Sequence, residues 1–395
     1  MSSEVSPDGV RRTYAVLGST GKATTCYLLD HVNAALGRST AIFSTVELKV
    51  GSERAPIERD VQPDLAELLA RADAAQLDDE ILELRWHELS TGVLGNDRRI
   101  DLALFTHLDP EVEGDRYAEH LEKIARVLSS ARHALILIDD EAGRELAQRV
   151  PGAITVGSLP RDQDADWQAS INASRPDHIA FTVTHRSGRS VSTSLWIPTR
   201  FSVGYAALAL AAIMETGVSG NTIARLLPHG LRPVVPGRIE GVAERPRVVV
   251  DIAHNPARLG RALASLRRTT KGRLVVVVAA RATDDAATRR AIGRHAAAAD
   301  SIVVTDDDHG IDDDVAGVRK DVIVAAREAG AHTISEVSPR RAAIRGTVAL
   351  AGRDDTVLVA GRGHLTRLLV AGESEHLDDR EEVRAGIAQR HADSA

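Results

Sequence analysis

The stretch Tyr14-Ala15-Val16-Leu17-Gly18-Ser19-Thr20-Gly21-Lys22-Ala23-Thr24-Thr25 decides how the chain folds. A short apolar run ends at Gly18, Gly21 and Lys22 follow, and an apolar helical pattern begins with Tyr27, Leu28, Leu29, Val32 and Leu36. Strand, tight glycine loop and helix form the setting of a phosphate-binding loop. Glycines let the backbone approach the anion, N–H groups at the helix start face it, and a lysine adds a point charge. Gly18, Ser19, Thr20, Gly21 and Lys22 are therefore candidate nucleotide-binding residues. The competing reading is an ordinary strand-to-helix turn with a solvated lysine. The residue after the lysine of such a loop usually offers a hydroxyl to Mg²⁺. Here it is Ala23, so Thr24 or Thr25 has to substitute.

Outward from this loop, strands and helices alternate. Strands are expected at Tyr14–Leu17, Ser39–Phe43, Ile81–Leu84, Leu102–Phe105 and Ala134–Ile138, and helices at Lys22–Leu36, from Pro63, and at Tyr117–Leu128. Residues 49–62 read as polar and irregular. This alternation predicts an α/β domain with a mainly parallel sheet covered on both faces. Ile179–His185 and Ser190–Trp196 alternate apolar and polar residues around a turn at Gly188, the pattern of an antiparallel hairpin. Helices at Val203–Thr216 and Thr222–Leu227 follow, and Pro233, Pro236 and Gly237 mark a stiff linker. Beyond it, strands at Val248–Asp251, Leu274–Ala279, Ser301–Thr305 and Thr356–Ala360 alternate with four helices, a second, Rossmann-like α/β unit. The expected organisation is a disordered 1–13, a central domain over 14–232, a linker at 233–238 and a C-terminal domain over 239–395.

Composition excludes several classes. With 395 residues the chain can form two or three full cores. A net charge of −7 without a basic stripe, and only 3% aromatic residues, argue against nucleic-acid binding. A single cysteine, Cys26, rules out an intramolecular disulfide framework and Cys-rich zinc sites. There is no apolar run of the roughly 20 residues that span a bilayer, nor an apolar signal core at the N-terminus, so a cytoplasmic protein with no membrane partner is expected.

The order of motifs resembles the Mur ligase superfamily, most closely the enzymes that add the third residue of the peptidoglycan stem peptide. The pieces are Gly18-Ser-Thr-Gly-Lys22, Glu83-Leu-Arg-Trp-His87, Leu104-Phe-Thr-His-Leu108, Val235-Pro-Gly-Arg-Ile-Glu240, Asp251-Ile-Ala-His-Asn-Pro256, Leu358-Val-Ala-Gly-Arg-Gly-His364 and Leu377-Asp-Asp-Arg-Glu381. The resemblance implies a P-loop-type central ATPase domain, ATP and Mg²⁺ as cofactors, and amide formation through an acyl phosphate. It implies that Lys22 holds the β- and γ-phosphates and that Glu83 ligates Mg²⁺, with Thr24 the candidate hydroxyl in place of the missing one at Ala23. Arg238, Asp251, His254 and Asn255 would contact the nucleotide, and His364 would lie toward the amine. Lys123, or its competitor Arg126, would stand for the family's carbamoylated lysine.

Some positions depart from that pattern. Besides Ala23, Val112 stands where the family has a histidine, unless His107-Leu108-Asp109 is the match, and Tyr205 stands where an adenine-contacting Asn is expected. The loop after Val278 reads Ala279-Ala-Arg-Ala-Thr-Asp284. Asp308-His309-Gly310 replaces an Asn-Pro-Arg segment, and Leu365 replaces an acid, so diaminopimelate is not supported as the amine. The short stretch before the first strand suggests an acceptor without UDP. Two functions follow: an ATP-dependent ligase joining a small-molecule or peptide acceptor to an amino acid or amine, or a Mur-ligase-like pseudoenzyme that binds a metabolite or a protein partner. The acidic run Asp306–Asp308 with Asp312–Asp314 reads as a solvated loop in preference to a cation site.

Overall fold

The computed structural model describes residues 11–57, 65–85, 88, 99–175, 177–197 and 199–393. The expected start of a helix at Pro63, His87, and the N-terminal ten residues lie outside them. The chain divides into two compact units, one ending at Val234 and one from Val235 onward.

The first unit contains β1 (Arg12–Leu17), α1 (Lys22–Ala35), β2 (Thr40–Phe43), β3 (Glu47–Val50), β4 (Glu53–Pro56), α2 (Leu65–Ala74), β5 (Asp79–Glu83), β6 (Leu102–Phe105), α3 (Pro110–Glu113) and α4 (Tyr117–Ser130). It continues with β7 (His133–Leu137), α5 (Glu141–Arg149), β8 (Ile154–Gly157), β9 (Trp167–Ser174), β10 (Ile179–His185), β11 (Ser190–Leu195), α6 (Arg200–Glu215) and α7 (Gly220–Leu226). Its single sheet runs β11-β10-β9-β8-β7-β6-β1-β5-β2-β3-β4. The middle, from β2 to β9, is parallel. Antiparallel strands close both edges.

β1 lies near the centre and is buried along its whole length, which suits an apolar strand covered on both faces. It begins at Arg12, inside the segment expected to be disordered. Thr13 holds that end by donating its N–H to Asp101 Oδ2 at 2.9 Å and its hydroxyl to Glu80 Oε2 at 3.0 Å. On α1, Leu28, Leu29 and Val32 are buried, each such side chain contributing about 1.5–3 kcal/mol. α6 is apolar on every side because it is buried between α1 and strands β7–β10. Among the described residues no single helix is long and apolar enough to cross a membrane.

Residues 49–56 of the stretch read as irregular belong to the β3–β4 hairpin instead. Its charged residues hid the pattern: Glu47 and Lys49 point inward, where Lys49 pairs with Asp30 and Glu47 with Arg54. β8 and α5 were also unread, both being short.

The second unit contains β12 (Glu240–Glu244), β13 (Arg247–Asp251), α8 (Pro256–Arg267), β14 (Leu274–Val278), α9 (Ala286–Ala296), β15 (Ser301–Val304) and α10 (Val315–Glu328). Then come β16 (Ile334–Glu336), α11 (Arg340–Leu350), β17 (Thr356–Ala360), β18 (Arg367–Val370), β19 (Glu373–His376) and α12 (Asp379–Asp393). The sheet order is β12-β13-β17-β14-β15-β16, with β12 antiparallel and the rest parallel. Its strands are continuously apolar because alternate residues enter two cores. Val249, Val276 and Leu358 face one, while Val248, Val275 and Val357 face the other. The Val235–Arg238 segment is built into this unit. Gly237, at φ +62°, lies so close to Gly363 and His364 that a Cβ would meet the His364 nitrogen at 2.0 Å.

Candidate active site

The glycine loop joins the end of β1 to α1, at the carboxyl end of the parallel strands, where ligands of open α/β sheets bind. Both glycines are required by geometry. Gly18 has φ +133°, and a Cβ there would come within 2.5 Å of Thr106 Oγ1 and 2.6 Å of the His107 carbonyl. Gly21 has φ +87°, and a Cβ there would lie 2.4 Å from the Tyr205 ring. Gly21 caps α1, whose first turn carries neither a side-chain cap nor an acid, so its N–H groups suit an anion. The loop's shape is held from β6: Thr106 donates its hydroxyl to the carbonyls of Leu17 (2.9 Å) and Thr20 (2.7 Å). Ser19 donates its N–H to the His107 carbonyl at 2.7 Å and accepts the Asp109 N–H at 2.9 Å.

Lys22 and Glu83 meet here. Val16 of β1 stands opposite Glu83 of β5, which places the carboxylate beside the loop. Lys22 Nζ lies 3.8 Å from Glu83 Oε1 and donates to the Gly18 carbonyl at 2.7 Å. Glu83 is 3% exposed, and its carboxylate accepts the Thr45 N–H (2.8 Å) and hydroxyl (3.1 Å). Of the two candidate hydroxyls, Thr25 is buried and donates to the Gly21 carbonyl at 3.0 Å. Thr24 is half-buried and remains the other candidate hydroxyl.

In the second unit, Asp251 ends β13 and accepts the N–H groups of Ile239 (2.7 Å) and Ala253 (2.8 Å). Burial pushes its carboxyl above the usual range. His254 Nδ1 lies 3.1 Å from the Ile252 carbonyl. Burial, then the charges of Arg258 and Arg281, lower its pKa to about 3, so the ring is neutral. Asn255 caps α8 by accepting the Arg258 N–H at 2.9 Å. His364 Nδ1 lies 3.4 Å from an Arg238 guanidinium nitrogen. Arg238, Asp251, His254 and His364 are thus gathered around the ends of β13 and β17, while Asn255 is engaged in shaping the helix start.

Residues 16–213 match the Mur ligase middle domain, and residues 237–363 match the Mur ligase, glutamate ligase domain. The chain belongs to the Mur ligase family. A UDP-N-acetylmuramoyl-L-alanyl-D-glutamate–2,6-diaminopimelate ligase of Corynebacterium glutamicum is 32% identical, over 95% of this chain and 75% of the relative. A UDP-N-acetylmuramyl-tripeptide synthetase of Deinococcus radiodurans is 33% identical, over 97% and 79%. A solved diaminopimelate ligase of the same name as the first superposes with a TM-score of 0.68 at 23% identity, over 97% of this chain and 79% of that one. E. coli FolC with ADP gives 0.66 at 20%, over 98% and 91%. These likenesses to solved structures carry the fold.

Against the Mur ligase expectations, the carbamoyl-lysine candidates are not joined to the Lys22–Glu83 pair by any described contact. Lys123 pairs with Glu119 one turn back on α4 at 2.6 Å, and Arg126 with Glu122 at 3.4 Å. The backbone of Val112 belongs to α3. Tyr205, read as a lost adenine contact, packs its ring against the glycine loop. The solvated reading of the acidic run holds for Asp312–Asp314, which are exposed, and is corrected for Asp306 and Asp307. Asp306 and Asp307 are buried, Asp306 paired with Arg319 and Asp307 with the fully buried Arg362 at 2.7 Å. Nothing in the local sequence says that Arg319 and Arg362 will meet these acids. Sequence reasoning also passed over Thr45, Thr106 and the contact of His107 Nδ1 with Asp140 Oδ2 at 2.5 Å. Thr106 and His107 fall inside the motif Leu104-Phe-Thr-His-Leu108.

Proposed function

We propose that this chain is an ATP-dependent carboxylate–amine ligase. The observation that carries the proposal is the pairing of Lys22 with Glu83 beside an uncapped helix start. Lys22 and the first-turn N–H groups of α1 suit the β- and γ-phosphates of ATP. Mg²⁺ takes a near-octahedral oxygen shell, mostly water and phosphate, with one or two protein oxygens. Glu83, oriented by Thr45, and Thr24 fit that donor set. Bound Mg-ATP, held by Lys22 and the start of α1 with Glu83 and Thr24 toward the metal, would supply a γ-phosphoryl group to a substrate carboxylate with ADP leaving, so that an amine could displace phosphate and form the amide. The chain's part is to position and to neutralise charge. The relatives' names carry a UDP-linked acceptor, and the expectation of an acceptor without UDP draws no support from them.

A second reading is supported by Ala23 and by the engagement of Thr25 with Gly21. It is a Mur-ligase-like protein that binds a metabolite or a protein partner without turnover. Thermal unfolding with millimolar Mg-ATP separates the two, since a ligand at 100 times its Kd stabilises by about 2.7 kcal/mol. A ligase shows that stabilisation and loses it in Lys22→Met. No shift in the wild type overturns the ligase reading.

A further inference from the structure

The first unit ends in a strap, residues 229–232, which follows α7 and leads to Pro233 and Val234. The start of the strap is fastened to the end of β11. Leu231 donates its N–H to the Ser194 carbonyl at 2.7 Å and accepts the Trp196 N–H at 3.0 Å. Gly230, at φ +80°, packs so closely that a Cβ would meet the Ser194 carbonyl oxygen at 2.3 Å. Trp196 donates its indole N–H to the His229 carbonyl at 2.8 Å, and the Arg232 guanidinium lies over its ring, 3.7 Å from the centroid. The His178 ring stacks on the same indole at 4.9 Å. The end of the strap is held differently. Arg232 donates its N–H to Nε2 of His31, at 3.2 Å. His31 lies on α1, the helix that begins at Lys22 of the glycine loop.

We infer that His31 is a proton-sensitive clasp: as a neutral imidazole it ties the end of the strap to α1, and once protonated it lets that end go while β11 keeps the start. The reason lies in the donors and acceptors of the ring. Neutral imidazole has one nitrogen that accepts, whereas imidazolium donates from both and cannot take the Arg232 N–H. Two neighbours favour the charged ring. They are Asp30, itself bonded to Lys49 and Thr40, and the Gly230 carbonyl on the strap. Burial of the half-buried ring favours the neutral form and outweighs them, so His31 titrates below the usual histidine range. On the strap itself the Arg232 guanidinium is engaged with Trp196, and His229 is exposed. The clasp is therefore closed at neutral pH and opens as the pH falls through the midpoint of the ring. The residues it frees are those leading to the end of the first unit. This inference stands apart from the ligase reading, because it needs neither nucleotide nor metal.

The test is amide hydrogen exchange of the full chain, followed residue by residue by NMR at about pH 7.5 and about pH 5, with rates corrected for the intrinsic effect of pH. In the wild type, protection of the Arg232 amide is expected to fall about tenfold or more at the lower pH, while the Leu231 amide, bonded to Ser194, keeps its protection. In His31→Gln the side-chain oxygen can accept the same N–H and does not titrate, so Arg232 should be equally protected at both pH values. That variant leaves His178 and His229 in place, which separates their titration from that of His31. Should His31→Gln fail to fold, the wild type still decides. The His31 ring resonance and the Arg232 amide are expected to titrate with one midpoint. Unchanged Arg232 protection across this range, equal loss at Leu231 and Arg232, the same loss in a folded His31→Gln, or two separate midpoints overturns the inference.

Discussion

The Thr25 hydroxyl donates to the Gly21 carbonyl at 3.0 Å and is thereby turned back into the first turn of α1. On the proposed ligase reading, with Ala23 unable to coordinate, Thr24 is the hydroxyl to test together with Glu83. Thr24→Ala is expected to abolish the Mg²⁺ dependence of ATP binding, and Ala23→Thr to strengthen it or raise turnover. Calorimetry with and without Mg²⁺, together with phosphate release, checks both. Brisk turnover in Thr24→Ala would mean that this hydroxyl is not a ligand.

Lys22 is 12% exposed and sits beside a nearly inaccessible carboxylate, so its removal does more than delete a surface charge. Lys22→Met is expected to eliminate ATP binding and to cost about 1–3 kcal/mol, because Glu83 loses its nearest cation. In Glu83→Gln the amide can still accept from Thr45, so the fold and phosphate binding should persist while Mg²⁺ binding falls. Denaturant unfolding and nucleotide calorimetry on both variants give the answer, and a Lys22→Met protein with wild-type ATP affinity would refute its role.

Gly21→Ala combines a strained φ of +87° with a Cβ placed 2.4 Å from the Tyr205 ring. Strain of this kind costs about 1–3 kcal/mol, and the clash adds to it. Tyr205→Ala should relieve the clash but not the backbone strain, so a double-mutant cycle is expected to show partial rescue. Purely additive losses would show that the ring does not restrict the loop.

His254 titrates near 3 in the folded chain against about 6.5 when unfolded. Between those values the unfolded state binds the extra proton, so stability is intact above about pH 6.5 and falls as pH drops toward 3. Buried Asp251, with its raised pKa, acts in the opposite sense and loses stability as pH rises. His254→Gln should therefore flatten the acid limb of the stability profile. Proton NMR of the His254 ring is expected to show no titration between pH 7 and about 5, and a midpoint near 6.5 would contradict the burial argument.

Arg340 and Asp379 are both inaccessible and form two hydrogen bonds, at 2.9 and 2.7 Å, that tie α12 to α11. Removing one partner of a buried pair typically costs about 3–5 kcal/mol. Asp379→Ala should lower stability by that order, while Asp379→Asn, which keeps an acceptor, should lose less. Chemical denaturation that ranks the two variants the other way would mean that charge pairing contributes little there.

Much of this protein was legible along the chain because its signals are local. The apolar run into Gly18, the positive-φ glycines and the helix after Lys22 need only near neighbours to be read. The continuous valines of β13 and β14 likewise announce strands covered on both faces. Partners of charged side chains are a different matter, since they arrive from far along the chain. The β3–β4 hairpin looked irregular until Asp30 of α1 met Lys49. The Asp306–Asp308 run looked solvated until Arg319 and Arg362 reached it from α10 and from the loop after β17. Period and propensity determined where the strands, helices and glycine turns lie. Only the tertiary structure decided which carboxylates are buried and that Thr45 orients Glu83, because each depends on a three-dimensional neighbour that no local pattern encodes.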